Sequence, residues 1–449
     1  MRFHLALTLQ ALWTAVCQAA MQHYPAAWGH YDVCKSQVYS DEGLTWDYMA
    51  CQPEAADMTQ YLKVTLDPPN ITCGDPPETY CALENPYMCN NECDASTEEL
   101  AHPPELMFDI EGRNPTTFWQ STSWKKYPKA LLVNITLSWN KTIELTDDIV
   151  LTFESGRPEQ MVLEKSLDYG RTWQPYQFYA TDCLDAFTME PKTVQDLTQH
   201  TLLDIICTED YSRGYVWKYD KTVRFEIMDR FALFAGPRLH NMASLYGQLD
   251  TTKNLRDFFT ITDLRIRLLR PATGATMVDE NNLSRYFYAI SDIKVQGRCK
   301  CNLHANSCVY DKEKLSCECE HNTTGPDCGR CKRNYQGRAW SAGSYLPIPK
   351  GTANICIPNN IGPVTRVCDN ELLRCQNGGV CVGNIRCNCP PAYTGLLCEK
   401  RRCESELGGC GGPDSGQAPL TPPSRPVLLL MLLLGSALLR EASSWPAVL

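Results

Sequence analysis

The sequence predicts a mainly β chain: one large N-terminal β-sandwich or jelly roll, followed by small modules held together by disulfides. Three observations carry this expectation. Apolar and polar residues alternate with a period of two in several short segments, as half-buried antiparallel strands do. A helical period is weak outside residues 242–258. The 25 cysteines are unevenly spread, with eight between residues 30 and 298 and sixteen in the 112 positions from 299 to 410. The sparse region must fold by burial, whereas the dense region cannot build an ordinary core and depends on cross-links.

The clearest strand is the stretch in which Leu131, Val133, Ile135, Leu137 and Trp139 alternate with Asn134, Thr136, Ser138 and Asn140. The first set goes to a core and the second to a solvated face. Ile143 and Leu145 form a further strand signal, as do Ile149, Leu151 and Phe153. Val223, Phe225 and Ile227 form another, and Leu264, Ile266 and Leu268 alternate with Arg265 and Arg267. A region of some 270 residues is large for a plain sandwich, so long loops or extra strands are expected to decorate it.

Composition narrows the function. Of 449 residues, 43% are hydrophobic and 10% aromatic, and the formal net charge is −10. The apolar content excludes general disorder. The acidic balance argues against a nucleic-acid binder that tracks phosphates. No His-Glu-x-x-His, Gly-x-Ser-x-Gly or phosphate-loop motif is present, and the eight histidines form no spaced ligand set.

Both ends read as targeting segments. Arg2 and the short apolar stretch at residues 5–16 form a secretory signal. Its cleavage points are after Ala19 or after Gly29, and either cut removes Cys17 to leave 24 cysteines. Near the other end, residues 427–439 form a 13-residue apolar run, short of the about 20 that a spanning helix needs. A spacer with three glycines and five prolines precedes the run. This is the layout of a GPI-attachment signal, with Gly412, Asp414 and Ser415 as candidate attachment residues. The alternative is one span over residues 427–449, which would bring Arg440 and Glu441 into or near hydrocarbon. Five Asn-X-Ser/Thr sequons, at Asn70, Asn134, Asn140, Asn282 and Asn322, agree with an external location.

The dense cysteines divide into two sets. Cys299, Cys301, Cys308, Cys317, Cys319, Cys328, Cys331 and Cys356 form the first. Cys368, Cys375, Cys381, Cys387, Cys389 and Cys398 form the second, with Cys403 and Cys410 left over. The second set, with Asn377-Gly378-Gly379 and Tyr393-x-Gly395, resembles an EGF module, and the first resembles a laminin-type EGF module. Phe118-Trp119-Gln120-Ser121, Asn302-Leu303-His304-Ala305 and His321-Asn322-Thr323-Thr324-Gly325-Pro326 resemble the corresponding segments of laminins and netrins. With the GPI-like tail, the whole is similar to the netrin-G (laminet) family, and Asn85-Pro86-Tyr87-Met88-Cys89 looks like the first of its two paralogues. Only one laminin EGF module precedes the EGF module, as in a short splice form.

The resemblance implies a laminin-type jelly-roll β-sandwich at 30–298, after a signal at 1–29. A laminin EGF module at 299–358 and an EGF-like module at 364–399 follow, then a stalk with the lipid-attachment region at 400–426 and a removed tail at 427–449. It implies the pairings Cys299–Cys308, Cys301–Cys317, Cys319–Cys328 and Cys331–Cys356 in the first module. In the second it implies Cys368–Cys381, Cys375–Cys387 and Cys389–Cys398, with Cys403 and Cys410 left to pair with each other. The N-terminal domain contributes Cys34, Cys51, Cys73, Cys93, Cys183 and Cys207 to the disulfide set, and Cys81 with Cys89 is expected to close a loop.

Function follows from the same resemblance: a GPI-anchored axonal surface protein that binds a leucine-rich-repeat netrin-G ligand on an opposing cell, guiding axons and organising synapses. The alternative is a laminin-like matrix component. Neither reading involves an enzyme or nucleic acid. The expected contact loops are residues 80–89, 208–219 and 271–284, displaying Tyr80, Leu83, Pro86, Tyr87, Tyr211, Tyr215, Trp217, Asp279 and Asn281. The family also implies a structural calcium at Phe108 (carbonyl), Asp109 and Thr117, with Ser291 contributing. Read without the family, Asp109 is a turn residue.

Two motifs are decoys. Ser166-x-Asp168-x-Gly170-x-Thr172-Trp173 matches the Asp-box of sialidases in a single copy and reads as a structural hairpin. Cys328-Gly-Arg-Cys331 has zinc spacing, but an oxidising compartment favours disulfides. The EGF module lacks a calcium-binding lead before Cys368, and Val380 stands where an O-fucose acceptor would.

Overall fold

The computed structural model describes residues 33–401, apart from 41–42, 82–87, 110–114, 213–220, 236–241, 275–276, 349, 360–367, 369–373, 383–385, 395–396 and 399. The signal segment, the lipid-attachment residues Gly412, Asp414 and Ser415, and Cys403 and Cys410 lie outside the described residues.

A hairpin of β1 (Lys35–Ser40) and β2 (Gly43–Tyr48) comes first. The head is built on a ten-stranded sheet: β3 (Ala56–Asp57), β4 (Lys63–Asp67), β7 (Trp119–Gln120), β8 (Val133–Phe153), β9 (Gln160–Ser166), β10 (Gln174–Ala180), β11 (Cys207–Thr208), β12 (Thr222–Phe225), β13 (Thr260–Arg270) and β14 (Ala289–Cys299). The short pair β5 (Glu78–Tyr80) and β6 (Asn91–Cys93) stands apart.

The alternation expected from residue 131 onward is present, since β8 buries every second side chain from Val133 to Trp139 and leaves Asn140 exposed. The separate strands expected around Ile143 and Ile149 are instead the continuation of β8, which runs unbroken for 21 residues. Its first half lies between β4 and β13, its second between β12 and β14. Asn140 at φ 51° and a register shift between Ile261 and Asp263 mark where the strand changes neighbours, as strands do when they pass from one layer to another. At the far end of β14 a side chain on Gly297 would come within 2.8 Å of the Glu144 carbonyl, so the two strands approach there only because that residue is glycine.

A second correction concerns Ile227. Its alternation with Val223 and Phe225 reads as strand, but β12 ends at Phe225 and Ile227 opens a helix, α2 (Ile227–Ala235). Helix α1 (Cys183–Phe187) follows β10. The helical period at 242–258 resolves into α3 (Met242–Thr251) and α4 (Lys253–Phe258). At the end of α4, buried Lys165 donates to the carbonyls of Asp257 and Phe258 at 2.6 and 2.7 Å, taking up acceptors that a helix end leaves over.

The head joins the first cysteine-rich module through buried polar contacts. Cys51 bridges to His304. Lys141, inward on β8, donates to the Lys300 carbonyl at 2.8 Å and pairs with Asp327. The Asp250 carboxylate of α3 accepts from Ser344 Oγ and the Tyr345 amide. Four disulfides, Cys299–Cys308, Cys301–Cys317, Cys319–Cys328 and Cys331–Cys356, hold this module. Cys368–Cys381, Cys375–Cys387 and Cys389–Cys398 hold the next. In the head the pairs are Cys34–Cys51, Cys73–Cys93, Cys81–Cys89 and Cys183–Cys207.

Candidate partner-binding rim

Strands β12 and β14 flank the second half of β8, and both run antiparallel to it. Each therefore starts at the Phe153 end: Thr222 faces Thr152, and Ile290 faces Phe153. The connections that lead into them contain residues 208–219 and 271–284; the second enters at that same end, while the described part of the first lies by Glu226, beyond Phe225 at the other end of β12. The third expected stretch is joined to the second of these directly. The Cys81 amide donates to the Ser284 carbonyl at 3.2 Å, and Asn282 Oδ1 lies 3.5 Å from Cys81 Sγ and 3.6 Å from Cys89 Sγ. The Cys81–Cys89 disulfide thus rests on the 279–285 turn.

That turn is set by local bonds. Asp279 Oδ1 accepts from the exposed Asn281 amide at 3.1 Å, an Asx-type turn, and Asp279 donates its own amide to Tyr286 Oη at 2.9 Å. Tyr80 differs from its expected display role. It is buried, edge-on to Phe287 at 5.3 Å, and burial raises its phenol pKa. It anchors the ring's root and offers a partner little surface. Leu83, Pro86 and Tyr87 lie outside the described residues, as do Tyr215 and Trp217. Tyr211 is half-buried and donates a hydrogen bond from its hydroxyl to Glu226 Oε1. Burial, with the Glu226 charge beside it, raises its pKa strongly, so it sits as a neutral donor at the foot of its loop.

The segment that precedes that loop is held by a residue the sequence did not single out. Arg230 of α2 is fully buried between the rings of Phe225 and Phe258. Its guanidinium donates to the carbonyls of Leu202 and Asp204 and to Gln177 Oε1. Only its place next to an aromatic strand end hints at this in the sequence.

For the expected calcium, Thr117 Oγ1 donates to Asp109 Oδ2 at 2.7 Å, so two oxygens of the set stand together, and Phe108 adjoins them. Antiparallel pairing of Ile290 with Trp119 carries Ser291 along the same ladder, although its hydroxyl faces the Thr152 carbonyl at 3.4 Å. Nearby Gln120 is fully buried, with neither amide atom hydrogen-bonded among the described residues. Hard oxygens suit calcium, and the donor types fit. Two other clusters with metal-ligand spacing, Cys34–Cys51–His321 and Cys368–Cys375–Cys387, consist largely of sulfurs already committed to disulfides.

The single Asp-box copy forms the turn between β9 and β10. Asp168 accepts from the Thr172 hydroxyl and amide at 2.6 and 2.9 Å. Those bonds, chiefly from Thr172, hold its pKa at about 2. Tyr169 and Gly170 take positive φ in the turn. Trp173 lies under the Arg265 guanidinium at 4.2 Å.

Among the sequons, Asn70 and Asn140 are exposed. Asn134 is tied by Nδ2 to Asp67 at 3.0 Å, and Asn322 by Nδ2 to the Cys356 carbonyl at 3.2 Å. Asn282 belongs to the rim.

Residues 51–297 match the laminin N-terminal domain (domain VI), and residues 299–344 match the laminin EGF domain. Human Netrin-G1 is 60% identical over 532 aligned positions that take in 96% of this chain and 98% of that protein. The chain belongs to the netrin-G family. Human Netrin-G2 is 47% identical, covering 92% of this chain and 97% of its own, so this netrin-G protein stands nearer the first paralogue. The 532 positions exceed the 449 residues present, so Netrin-G1 carries residues within the aligned span that this chain lacks. The laminin subunit gamma-1 of Xenopus tropicalis is 31% identical over 78% of this chain but only 21% of its own length. Netrin-G chains with these domains are extracellular proteins, and the matched domains are structural or recognition modules. Among the described residues no helix is long and apolar enough to cross a membrane.

Proposed function

We propose that this netrin-G protein is a GPI-anchored neuronal surface molecule whose head docks a leucine-rich-repeat netrin-G ligand on an opposing cell. Through that contact it guides axons and organises synapses. The observation that supports this best is the meeting of two of the three loop stretches, with the Cys81–Cys89 disulfide seated against Asn282 and the Cys81 amide bonded to Ser284. A pre-closed ring loses little conformational freedom on docking, so more of its contact energy appears as affinity.

The calcium belongs to the same reading. Phe108, Asp109, Thr117 and Ser291 would hold it, tying the segment before β7 to β14 and stiffening the frame from which the rim projects. The lipid anchor at Gly412, Asp414 or Ser415 would leave the head and neck free to reach across a cell–cell gap. Cells displaying the full chain, challenged with a panel of leucine-rich-repeat ectodomains, test the docking. A phospholipase specific for GPI should release the chain; retention on the cells would favour a spanning anchor, and spontaneous loss to the medium a matrix role.

A further inference from the structure

Asn282 differs from two other sequons, Asn134 and Asn322, in what its side chain touches. Asn134 and Asn322 each have the amide nitrogen engaged, the first by Asp67 and the second by Cys356. At Asn282 the side-chain amide packs against the Cys81–Cys89 disulfide, with Oδ1 3.5 and 3.6 Å from the two sulfurs, which carry no hydrogen to donate. Its amide nitrogen has no hydrogen-bond partner among the described residues. The backbone is pinned on both sides: Asn282 donates its amide to the Asp279 carbonyl at 3.0 Å, and its carbonyl accepts from Arg285 at 3.3 Å. Glu280 and Asn281 before it are exposed. The side chain thus lies against the disulfide with neither amide atom in a hydrogen bond among the described residues, on a turn whose preceding residues are exposed.

We propose that Asn282 carries an N-linked glycan, planted at the root of the Cys81–Cys89 ring, and that its presence weakens docking of a protein partner at this rim. The proposal rests on the recognition reading above. Attachment joins Asn282 Nδ2 to the anomeric carbon of a lipid-pyrophosphate-linked oligosaccharide. The bond from that carbon to the phosphate oxygen breaks, the lipid pyrophosphate leaves with the electron pair, and the nitrogen gives up one proton. Ser284 supplies the hydroxyl that completes the acceptor sequon.

The consequence is steric. A specific interface needs about 800 Å² of closely fitted, water-excluding surface on each partner, and a glycan is bulky and solvated. On the solvated face of β8, glycans at Asn134 or Asn140 would stand on the strand's side chains. At Asn282 the sugar would share the ground on which two of the contact stretches meet. Occupancy of this one site therefore sets how tightly a head docks.

The test uses the full chain expressed at the surface of mammalian cells. Enzymatic removal of N-glycans in ¹⁸O-water, followed by peptide mass spectrometry, should find labelled aspartate at position 282. S284A should abolish that label, and S284T should restore it. S284A keeps Asn282 and its contact with the disulfide, so its effect separates the sugar from the side chain; N282Q is the second variant. Both should bind a leucine-rich-repeat ectodomain about tenfold more tightly than the glycosylated chain, with S284T returning to the parent affinity. An unlabelled Asn282 alongside labelled Asn70 or Asn140 overturns the proposal. A labelled Asn282 with equal affinities in all forms overturns the gating and leaves the receptor reading standing. If no form binds any leucine-rich-repeat ectodomain, the receptor reading itself fails and the gating falls with it.

Discussion

His304 and His321 face each other in the head–neck joint with their Nδ1 atoms 3.1 Å apart. Each presents Nε2 to a backbone carbonyl, His304 to Ser341 at 2.9 Å and His321 to Cys34 at 3.1 Å. A carbonyl only accepts, so both Nε2 atoms must carry hydrogen. Two neutral rings then leave two bare Nδ1 atoms in contact. A third proton would bridge them, but both rings are buried and the charge is costly there.

That geometry gives a pH dependence. Burial holds His304 at about 4 and lowers His321, with the Ser341, Cys34 and Met49 carbonyls opposing and Arg338 adding to the drop at His304. A histidine whose folded pKa is depressed binds fewer protons folded than unfolded, so stability is full above about 6.5 and is lost as pH falls toward about 4. For His304 alone the loss is about 3 kcal/mol. The melting temperature of the secreted protein should fall between pH 7 and pH 4. A His304→Gln, His321→Gln double variant should show a much flatter profile, and an equal slope in both proteins would place the titration elsewhere.

The Lys141–Asp327 pair ties β8 to the first neck module, with the lysine side chain 1% and the aspartate 29% exposed. Asp327→Asn leaves a buried ammonium with one fewer anionic partner, and burial already lowers the Lys141 pKa. The expected cost is about 2–3 kcal/mol in thermal unfolding. Replacing the pair together, as Lys141→Met with Asp327→Leu, should recover most of it, because apolar substitutes for a buried ion pair are often neutral. Failure of the double variant to recover would mean that the lysine's bond to the Lys300 carbonyl matters more than the ion pair.

Arg230→Met keeps apolar bulk between Phe225 and Phe258 but strips donors from the Leu202 and Asp204 carbonyls. A loss of about 3 kcal/mol is expected, with amide exchange rising first across residues 193–208. Exchange that rises evenly over the head would contradict a local positioning role.

Calcium at Asp109 predicts that a chelator lowers the melting temperature of the parent protein and leaves Asp109→Asn unmoved. An identical shift in both would remove Asp109 from the ligand set.

The alternation in residues 131–139 made the core face of β8 legible, since one side of that strand is buried throughout. Its continuation past Asn140 was hidden. A left-handed residue, inward-facing Lys141 and the paired acids Asp147 and Asp148 resemble strand breaks, and the partner across the joint, Asp327, is 186 residues away. Ile227 misled because a period-two pattern of three residues is too short to separate strand from the first turn of a helix. The cysteine spacing disclosed two modules, and family likeness supplied their pairings. At the rim, the sequence marked the Cys81–Cys89 loop and Asp279 but assigned Tyr80 to display, because an aromatic beside a cysteine reads the same whether it faces in or out. The histidine pair was out of reach, as two loop residues 17 apart meet only once the disulfides have folded the module around them.

The most direct test of the recognition account is the affinity of leucine-rich-repeat ectodomains for cells displaying the full chain, compared with a Cys81→Ser, Cys89→Ser variant at matched surface level. The account predicts saturable binding to the parent chain and at least tenfold weaker binding to the variant, because opening the ring restores the freedom that docking must remove while the core stays intact. Undiminished binding by the variant, or no binding by the parent, would contradict it.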